Sequence, residues 1–109
     1  MRVISQDGTI DVPYERYTIW CYKDQYLDIY HIACDCGDEV YRRLADYSTE
    51  EKAKKAMEML RERHTDNVFC REDIQYKAEM LLDDGLEIVR EMMMKCEYFR
   101  FPKDDEVEV

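Results

Sequence analysis

The hydrophobic positions of this chain change period near residue 47. Before that point they alternate. Arg2-Val3-Ile4-Ser5 and Ile10-Asp11-Val12 are short extended runs joined by Gln6-Asp7-Gly8-Thr9. Asp-Gly is a strong hairpin dipeptide because both residues tolerate positive φ. Arg16 to Tyr22 is rich in aromatic and β-branched residues, the composition of a strand. Alternation puts Tyr17, Ile19 and Cys21 on one face and Thr18, Trp20 and Tyr22 on the other. After a turn at Lys23-Asp24-Gln25, the stretch Tyr26 to Ala33 predicts a further strand, with Tyr30 and Ile32 opposite His31 and Ala33. Cys36-Gly37-Asp38 marks the next turn, and Glu39 to Ala45 supplies another strand. The expectation is an antiparallel sheet of meander type.

Beyond Tyr47 the period becomes helical. Ser48 followed three residues later by Glu51 has the form of a capping box. Ala53, Ala56, Met57 and Leu60 then fall at i, i+3, i+4 and i+7, on one face of a helix expected from Thr49 to His64. Lys52 and Arg63 flank this apolar stripe on one side, and Lys54 and Arg61 on the other. Thr65-Asp66-Asn67 predicts a break or kink. A second helical run is expected from Glu72 to Cys96, with Gly85 inside it permitting a bend. Tyr98-Phe99-Arg100-Phe101-Pro102 resets the period to two. Its alternation turns Phe99 and Phe101 inward and Arg100 outward, and Pro102 places it at an edge or an end. The fold expected is a single α+β domain. It has an N-terminal antiparallel sheet over 1–46, a long kinked or broken helix over 47–97, a short C-terminal strand over 98–102 and a solvated acidic tail over 103–109.

Charge narrows the function classes. The net charge of −10 and pI near 4.6 argue against general nucleic-acid or anionic-membrane binding. The exception is residues 48–64, where Lys52, Lys54, Lys55, Arg61 and Arg63 offset Glu50, Glu51, Glu58 and Glu62. No window approaches the roughly 20 apolar residues that span a bilayer, and the N-terminus lacks the sustained apolar core of a signal peptide. Five cysteines, odd in number and irregularly spaced, are expected as reduced thiols of a cytosolic chain.

Catalytic signatures are absent from the sequence. There is no nucleophile elbow, no glycine-rich phosphate loop and no His-Glu-x-x-His, so no catalytic residues are assigned and no enzymatic activity is expected. A Cys/His pair that meets only in the fold stays open at this level. His31, Cys34 and Cys36 invite a metal reading, but Cys-x-Cys is too tight for a zinc knuckle and no second pair completes a site. They are expected as strand-end residues, with no metal and no cofactor. Met92-Met93-Met94 reads as core or subunit interface, which favours self-association. Arg100 has two readings: an edge-strand arginine paired with a carboxylate, or one held on a rigid strand to grip a phosphate bidentately.

Three blocks carry a resemblance: Met1 to Glu15, Tyr47 to Arg61, and Phe99-Arg100-Phe101-Pro102-Lys103-Asp104-Asp105-Glu106-Val107-Glu108-Val109. Together they resemble small phage and prophage proteins of the first type of Thoeris anti-defence family. The resemblance implies an antiparallel sheet packed with a long kinked helix, assembled as dimers or larger homo-oligomers. It implies a sponge that sequesters a cyclic ADP-ribose isomer, a small cyclic nucleotide signal, without cleaving it, in the cytoplasm of the infected bacterial host. Neither direct nucleic-acid binding nor a membrane partner belongs to that picture.

Carried onto this chain, the resemblance makes Arg100 the expected pyrophosphate contact, with Tyr98 and Phe99 as a wall for the base. Arg61 and Arg63 are the second candidates, for phosphate or for oligomer packing. Arg100→Ala is then expected to abolish ligand capture while leaving the fold unchanged. Thr65 to Glu97 has no counterpart in the matching blocks, and its acidity is poor company for a doubly anionic ligand. The alternative is a small acidic phage inhibitor acting by protein–protein contact or DNA mimicry, in the manner of anti-CRISPR proteins. A sponge needs a local cationic pocket, whereas a mimic needs a continuous acidic face.

Overall fold

The computed structural model describes the backbone of residues 1–35, 37, 40–78 and 97–109, with side chains throughout these except over 69–78. The expected second helical run beyond Ala78, Gly85, Met92 to Met94, Cys36 and Cys96 lie outside the described residues, as does the side chain of Cys70. The elements are β1 (Arg2–Ile4), β2 (Asp11–Pro13), β3 (Thr18–Lys23), β4 (Tyr30–Asp35), β5 (Tyr41–Tyr47), α1 (Glu50–Ala78) and β6 (Tyr98–Arg100). A 3₁₀ turn, Asp104–Glu106, follows. The architecture is α+β, with a helix packed on antiparallel-rich sheet and a short C-terminal strand, as the hydrophobic pattern predicts.

The strands form two three-stranded sheets in place of one continuous meander. The first has the order β2-β1-β6 and the second β3-β4-β5. In the first, β1 pairs antiparallel with β2 and parallel with β6, which lines up Val12, Val3 and Phe99 across the sheet. All three are buried. The β1–β2 turn is held by Asp7, whose carboxylate accepts from the Ser5 and Thr9 hydroxyls, each at 2.7 Å, and from the Thr9 N–H. These bonds, led by that from Ser5, lower its pKa to about 2. Gly8 supplies the left-handed residue, at φ +78°.

The second sheet is the expected meander, with an irregularity that ties it to the first. Ile32 faces Ala45 but Ala33 faces Arg43, so Leu44 is an extra residue in β5. That bulge explains why Leu44 and Ala45 are both buried although they are consecutive. It also leaves the Leu44 carbonyl available to accept the Gln6 N–H, at 2.7 Å, from the other sheet. The Gln6 side chain completes the joint. Its Nε2 donates to the carbonyls of Asp46 and Pro102, and its Oε1 accepts the Asp46 N–H.

β4 starts at Tyr30, four residues later than the alternation of Tyr26 to Ala33 predicts. Asp24 is the cause: its Oδ1 accepts the N–H groups of Tyr26 and Leu27, at 2.8 and 2.9 Å, and folds those residues into a turn.

α1 also departs from its predicted ends. Thr49, and not Ser48, provides the side-chain cap, its Oγ1 accepting from the Lys52 N–H at 3.2 Å. Ser48 is engaged elsewhere. Its N–H donates to Asp104 Oδ1 at 2.7 Å, its hydroxyl binds the same carboxylate, and Lys52 Nζ reaches it at 3.4 Å. Val107 is buried in the core. The acidic tail is therefore anchored over the start of α1 through Asp104 and Val107, while Lys103, Asp105, Glu106, Glu108 and Val109 remain exposed to solvent as expected. At Thr65-Asp66-Asn67, where a break or kink is expected, no break interrupts the helix, which runs through to Ala78. The Thr65 hydroxyl donates to the Arg61 carbonyl one turn earlier, at 3.0 Å, and Asn67 is buried.

The apolar stripe behaves as predicted. Ala53, Ala56 and Leu60 are fully buried and Met57 half-buried, packed with Ile32, Leu44, Tyr47 and Phe101. Phe101 and Phe99 meet edge to face, with centroids 5.2 Å apart.

On the far face of the second sheet, His31 is buried between two carboxylates, with Nε2 2.6 Å from Asp24 and Nδ1 2.5 Å from Asp46. A carboxylate on each ring nitrogen requires both to donate, which only the imidazolium does. Burial pulls the His31 pKa down, but the bonds to Asp24 and Asp46 outweigh it and the net shift is upward. Asp24 is shifted down, first by His31 and then by the two turn N–H groups. His31 therefore adds stability that is complete below its unfolded pKa near 6.5 and fades as pH rises through the higher folded value. Asp24 adds stability that is complete above 3.8 and fades as pH falls through its lowered folded pKa. The urea midpoint should accordingly fall on going from pH 6 to pH 9, and His31→Gln should remove most of that slope. An identical slope in the variant would show that this pairing does not set the basic limb.

Candidate functional site

The candidate site is a groove between α1 and β3, the strand at the edge of the second sheet. Lys54, Met57, Arg61 and His64 recur at i, i+3, i+7 and i+10, so one face of α1 presents them in a line. The opposing wall comes from β3, through Ile19 and Cys21, and from the segment before it, through Tyr14 and Tyr17. The groove has two lobes, of about 580 and 350 Å³, which share Ile19, Met57 and Arg61. Trp20, Cys21, Lys54 and Glu58 close the larger lobe; Tyr14, Glu15, Tyr17 and His64 close the smaller.

Most charged groups around it are already engaged. Lys54 pairs with Glu50 at 3.0 Å and Glu58 with Lys55 at 3.9 Å. Glu15 accepts from the terminal amine of Met1 at 2.7 Å, which holds its carboxyl below the usual range. Arg61 differs: its guanidinium has no hydrogen-bond or ion-pair partner among the described residues. It stands where the lobes join, beside the apolar Ile19 and Met57. A guanidinium there offers two parallel N–H donors to an oxyanion.

The thiol of Cys21 is pushed up by burial first and then by Glu50. It therefore stays protonated at neutral pH, which makes it a poor nucleophile. Among the described residues no three His, Cys, Asp or Glu side chains are grouped to hold a metal ion. Cys34 is buried in β4 and His31 is taken by its carboxylates, so neither lines the groove.

The residues assigned from the sequence separate into three places. Arg61 lies in the groove. Arg63 is on the other flank of α1, where Nη1 donates to the Tyr98 carbonyl at 3.2 Å and the guanidinium carbon lies 6.0 Å from the Phe99 ring centre. Phe99 is buried against Phe101, so its ring is not offered to a ligand, whereas Tyr98 is half exposed. Arg100 projects outward, as alternation predicts, and Nη2 donates to the Gln6 carbonyl at 3.2 Å. Its guanidinium lies over Gly8, where a Cβ would stand 3.4 Å away, and it is not among the groove residues. Arg63, Tyr98 and Phe99 thus come together, while Arg61 and Arg100 stand apart from them.

Sequence reasoning placed Lys54 and Arg61 on one flank of the helix but passed over Tyr14, Tyr17 and His64. The helical spacing of 54, 57, 61 and 64 was the available signal. Nothing in the sequence alone brings residues 14–17 to it. Comparison of the chain with family models, curated proteins and solved structures gave no match.

Proposed function

We propose that this chain is a non-enzymatic binding protein that sequesters a cyclic nucleotide signal in the α1–β3 groove. A cyclic ADP-ribose isomer is the ligand the sequence resemblance favours, and the host cytoplasm is where capture takes place. Arg61 grips a phosphate, Lys54 lends a second positive charge, and Tyr14, Tyr17, Ile19 and Met57 form the walls against which a base and sugars lie. The observation that carries this reading is the unpaired Arg61 guanidinium where the two lobes of the groove join, beside Ile19 and Met57, in a chain of net charge −10. On a chain of net charge −10, a groove guanidinium with no carboxylate partner among the described residues gives an anionic ligand a local point of attachment. The protonated Cys21 thiol supports capture over covalent chemistry. Among the described residues no helix is long and apolar enough to cross a membrane.

Calorimetric titration with cyclic ADP-ribose isomers and cyclic dinucleotides tests the proposal. Submicromolar binding, with the ligand recovered unchanged after heat denaturation, is the expected result. Ligand recovered as a cleaved product would make the protein an enzyme. No heat with any of these ligands would transfer the assignment to the acidic inhibitor acting by protein–protein contact.

A further inference from the structure

We infer that the free edge of β3 takes up an extended peptide of a partner protein as an added strand, with one acidic side chain of that peptide on Arg61 and an apolar one beside Met57. The inference goes beyond the nucleotide reading and does not rest on it, since it concerns the backbone of β3. The ladder fixes which groups are open. The Asp24 N–H donates to the Ile29 carbonyl at 2.8 Å, so these two residues form a hydrogen-bonded pair at the end of the β3–β4 hairpin. Bonded and non-bonded pairs alternate along an antiparallel ladder, and the register runs on without a shift through Tyr22↔His31, Trp20↔Ala33 and Thr18↔Asp35. Thr18, Trp20 and Tyr22 therefore turn their N–H and C=O groups to β4, while Ile19, Cys21 and Lys23 turn theirs to the open edge. Those outward groups have no hydrogen-bond partner among the described residues.

The other edges are blocked. β2 has three residues and ends on Pro13, which has no N–H. β6 also has three, and its Tyr98 carbonyl is taken by Arg63. The outer edge of β5 carries the Gln6 joint at Leu44 and Asp46. β3 has six residues, without proline or bulge, and an unblocked edge of that length is a template for another strand. The side chains beside it set the chemistry. A peptide residue opposite Ile19 or Cys21 points its side chain to the same face as they do, over the groove. Ile19 shares both lobes with Arg61 and Met57, and Cys21 lines the larger. Lys54 is paired with Glu50, whereas Arg61 has no carboxylate partner among the described residues. A carboxylate at Arg61 accepts two parallel guanidinium N–H bonds, and an apolar side chain two residues along lies against Met57. The net charge of −10 repels acidic segments at large, so a single carboxylate is the match and not an acidic run. Main-chain bonds then supply affinity and the alternate side chains supply specificity.

The probe is the tightest octapeptide selected from a random display library on the intact chain, measured by calorimetry and amide hydrogen exchange. In the free chain the amides of Ile19, Cys21 and Lys23 should exchange fast, and those of Thr18, Trp20 and Tyr22 slowly. The peptide should slow Ile19 and Cys21 at least about tenfold, which a phosphate held by the Arg61 side chain does not do. Methylating the alternate peptide nitrogens that face β3 should weaken binding at least about tenfold, and methylating the other set should leave it within about twofold. Arg61→Ala should weaken it about tenfold, through the loss of the carboxylate. A selection that yields no binder would overturn the inference. So would binding that leaves Ile19 and Cys21 unprotected, equal effects of the two methylated sets, or full affinity in Arg61→Ala. Slow exchange of all six amides in the free chain would overturn it as well, and its loss on dilution would assign the edge to a second copy. Each of these failures leaves the cyclic-nucleotide titration to stand or fall by itself.

Discussion

Phe101→Ala should cost about 3–5 kcal/mol of stability, the range for removing a fully buried aromatic ring. Phe101 is only 1 % exposed and sits where the two sheets, α1 and the C-terminal segment meet. Its ring packs edge to face on Phe99, and its N–H donates to the Ile4 carbonyl at 3.1 Å. The next residue, Pro102, accepts from the Tyr47 hydroxyl at 2.7 Å and from Gln6 Nε2 at 3.0 Å. Truncation therefore opens a cavity beside bonds that hold the C-terminal segment to both sheets. A domain of this size has roughly 5–15 kcal/mol in total, so the loss is a large fraction of it. Urea unfolding of the variant reads the change directly. Tyr98→Ala is the control, since Tyr98 lies on the same strand but is half exposed. Its own change should stay within about 0.5 kcal/mol. Should Phe101→Ala cost no more than Tyr98→Ala, the C-terminal segment would not belong to the cooperative core.

The parts of this fold that were legible in the sequence are those decided locally. The change of period at Tyr47, the Ala53-Ala56-Leu60 stripe and the inward phenylalanines follow from the pleat and the helical turn. Even the flanks of α1 sort as the spacing says. Lys52 and Arg63 reach the C-terminal segment, while Lys54 and Arg61 face β3. What was not legible depends on partners far away in the chain. The two-sheet arrangement depends on the bulge at Leu44 and on the parallel pairing of β1 with β6, separated by nearly the whole chain. Ser48 has the spacing of a cap, but Asp104 binds it from 56 residues away and leaves the cap to Thr49. Val107 and Val109 alternate with glutamates in an acidic run, too weak a pattern to reveal that Val107 is packed into the core.

The site shows the same division. Arg61 could be named because it lies on a recognisable helix beside an apolar stripe. The aromatic wall opposite it could not, because Tyr14 and Tyr17 sit on a connection whose place is set by the joint between the sheets. Phe99 carried two conflicting expectations, as an inward core residue by alternation and as a ligand wall by resemblance. Burial favours the first. A side chain that is 4 % exposed contributes packing energy and offers no face to a solute.

Arg61→Ala should weaken capture of a cyclic ADP-ribose isomer by roughly 10- to 150-fold, the equivalent of about 1.5–3 kcal/mol for losing a charge-assisted hydrogen bond. Stability should hardly change, within about 0.5 kcal/mol, because an exposed and unpaired arginine takes no described contact with it when removed. Arg100→Ala gives the opposite pattern under the groove reading. It removes a bond to the Gln6 carbonyl and the cover over Gly8, so it touches the β1–β2 turn and leaves affinity within about twofold, since no bond to ligand is lost. Measuring both variants by calorimetry and urea unfolding separates two sites that the sequence alone could not. Abolished capture in Arg100→Ala with full affinity in Arg61→Ala would move the site to the C-terminal strand. Salt adds an independent check. Repulsion between an anionic ligand and the net −10 chain acts over distances that about 0.1 M salt screens at a Debye length near 10 Å, whereas the contact at Arg61 is shorter than that. Wild-type affinity should therefore hold or rise modestly as salt is raised from low values. In Arg61→Ala, which keeps the repulsion and lacks the contact, the same addition of salt should recover proportionally more of a weaker binding.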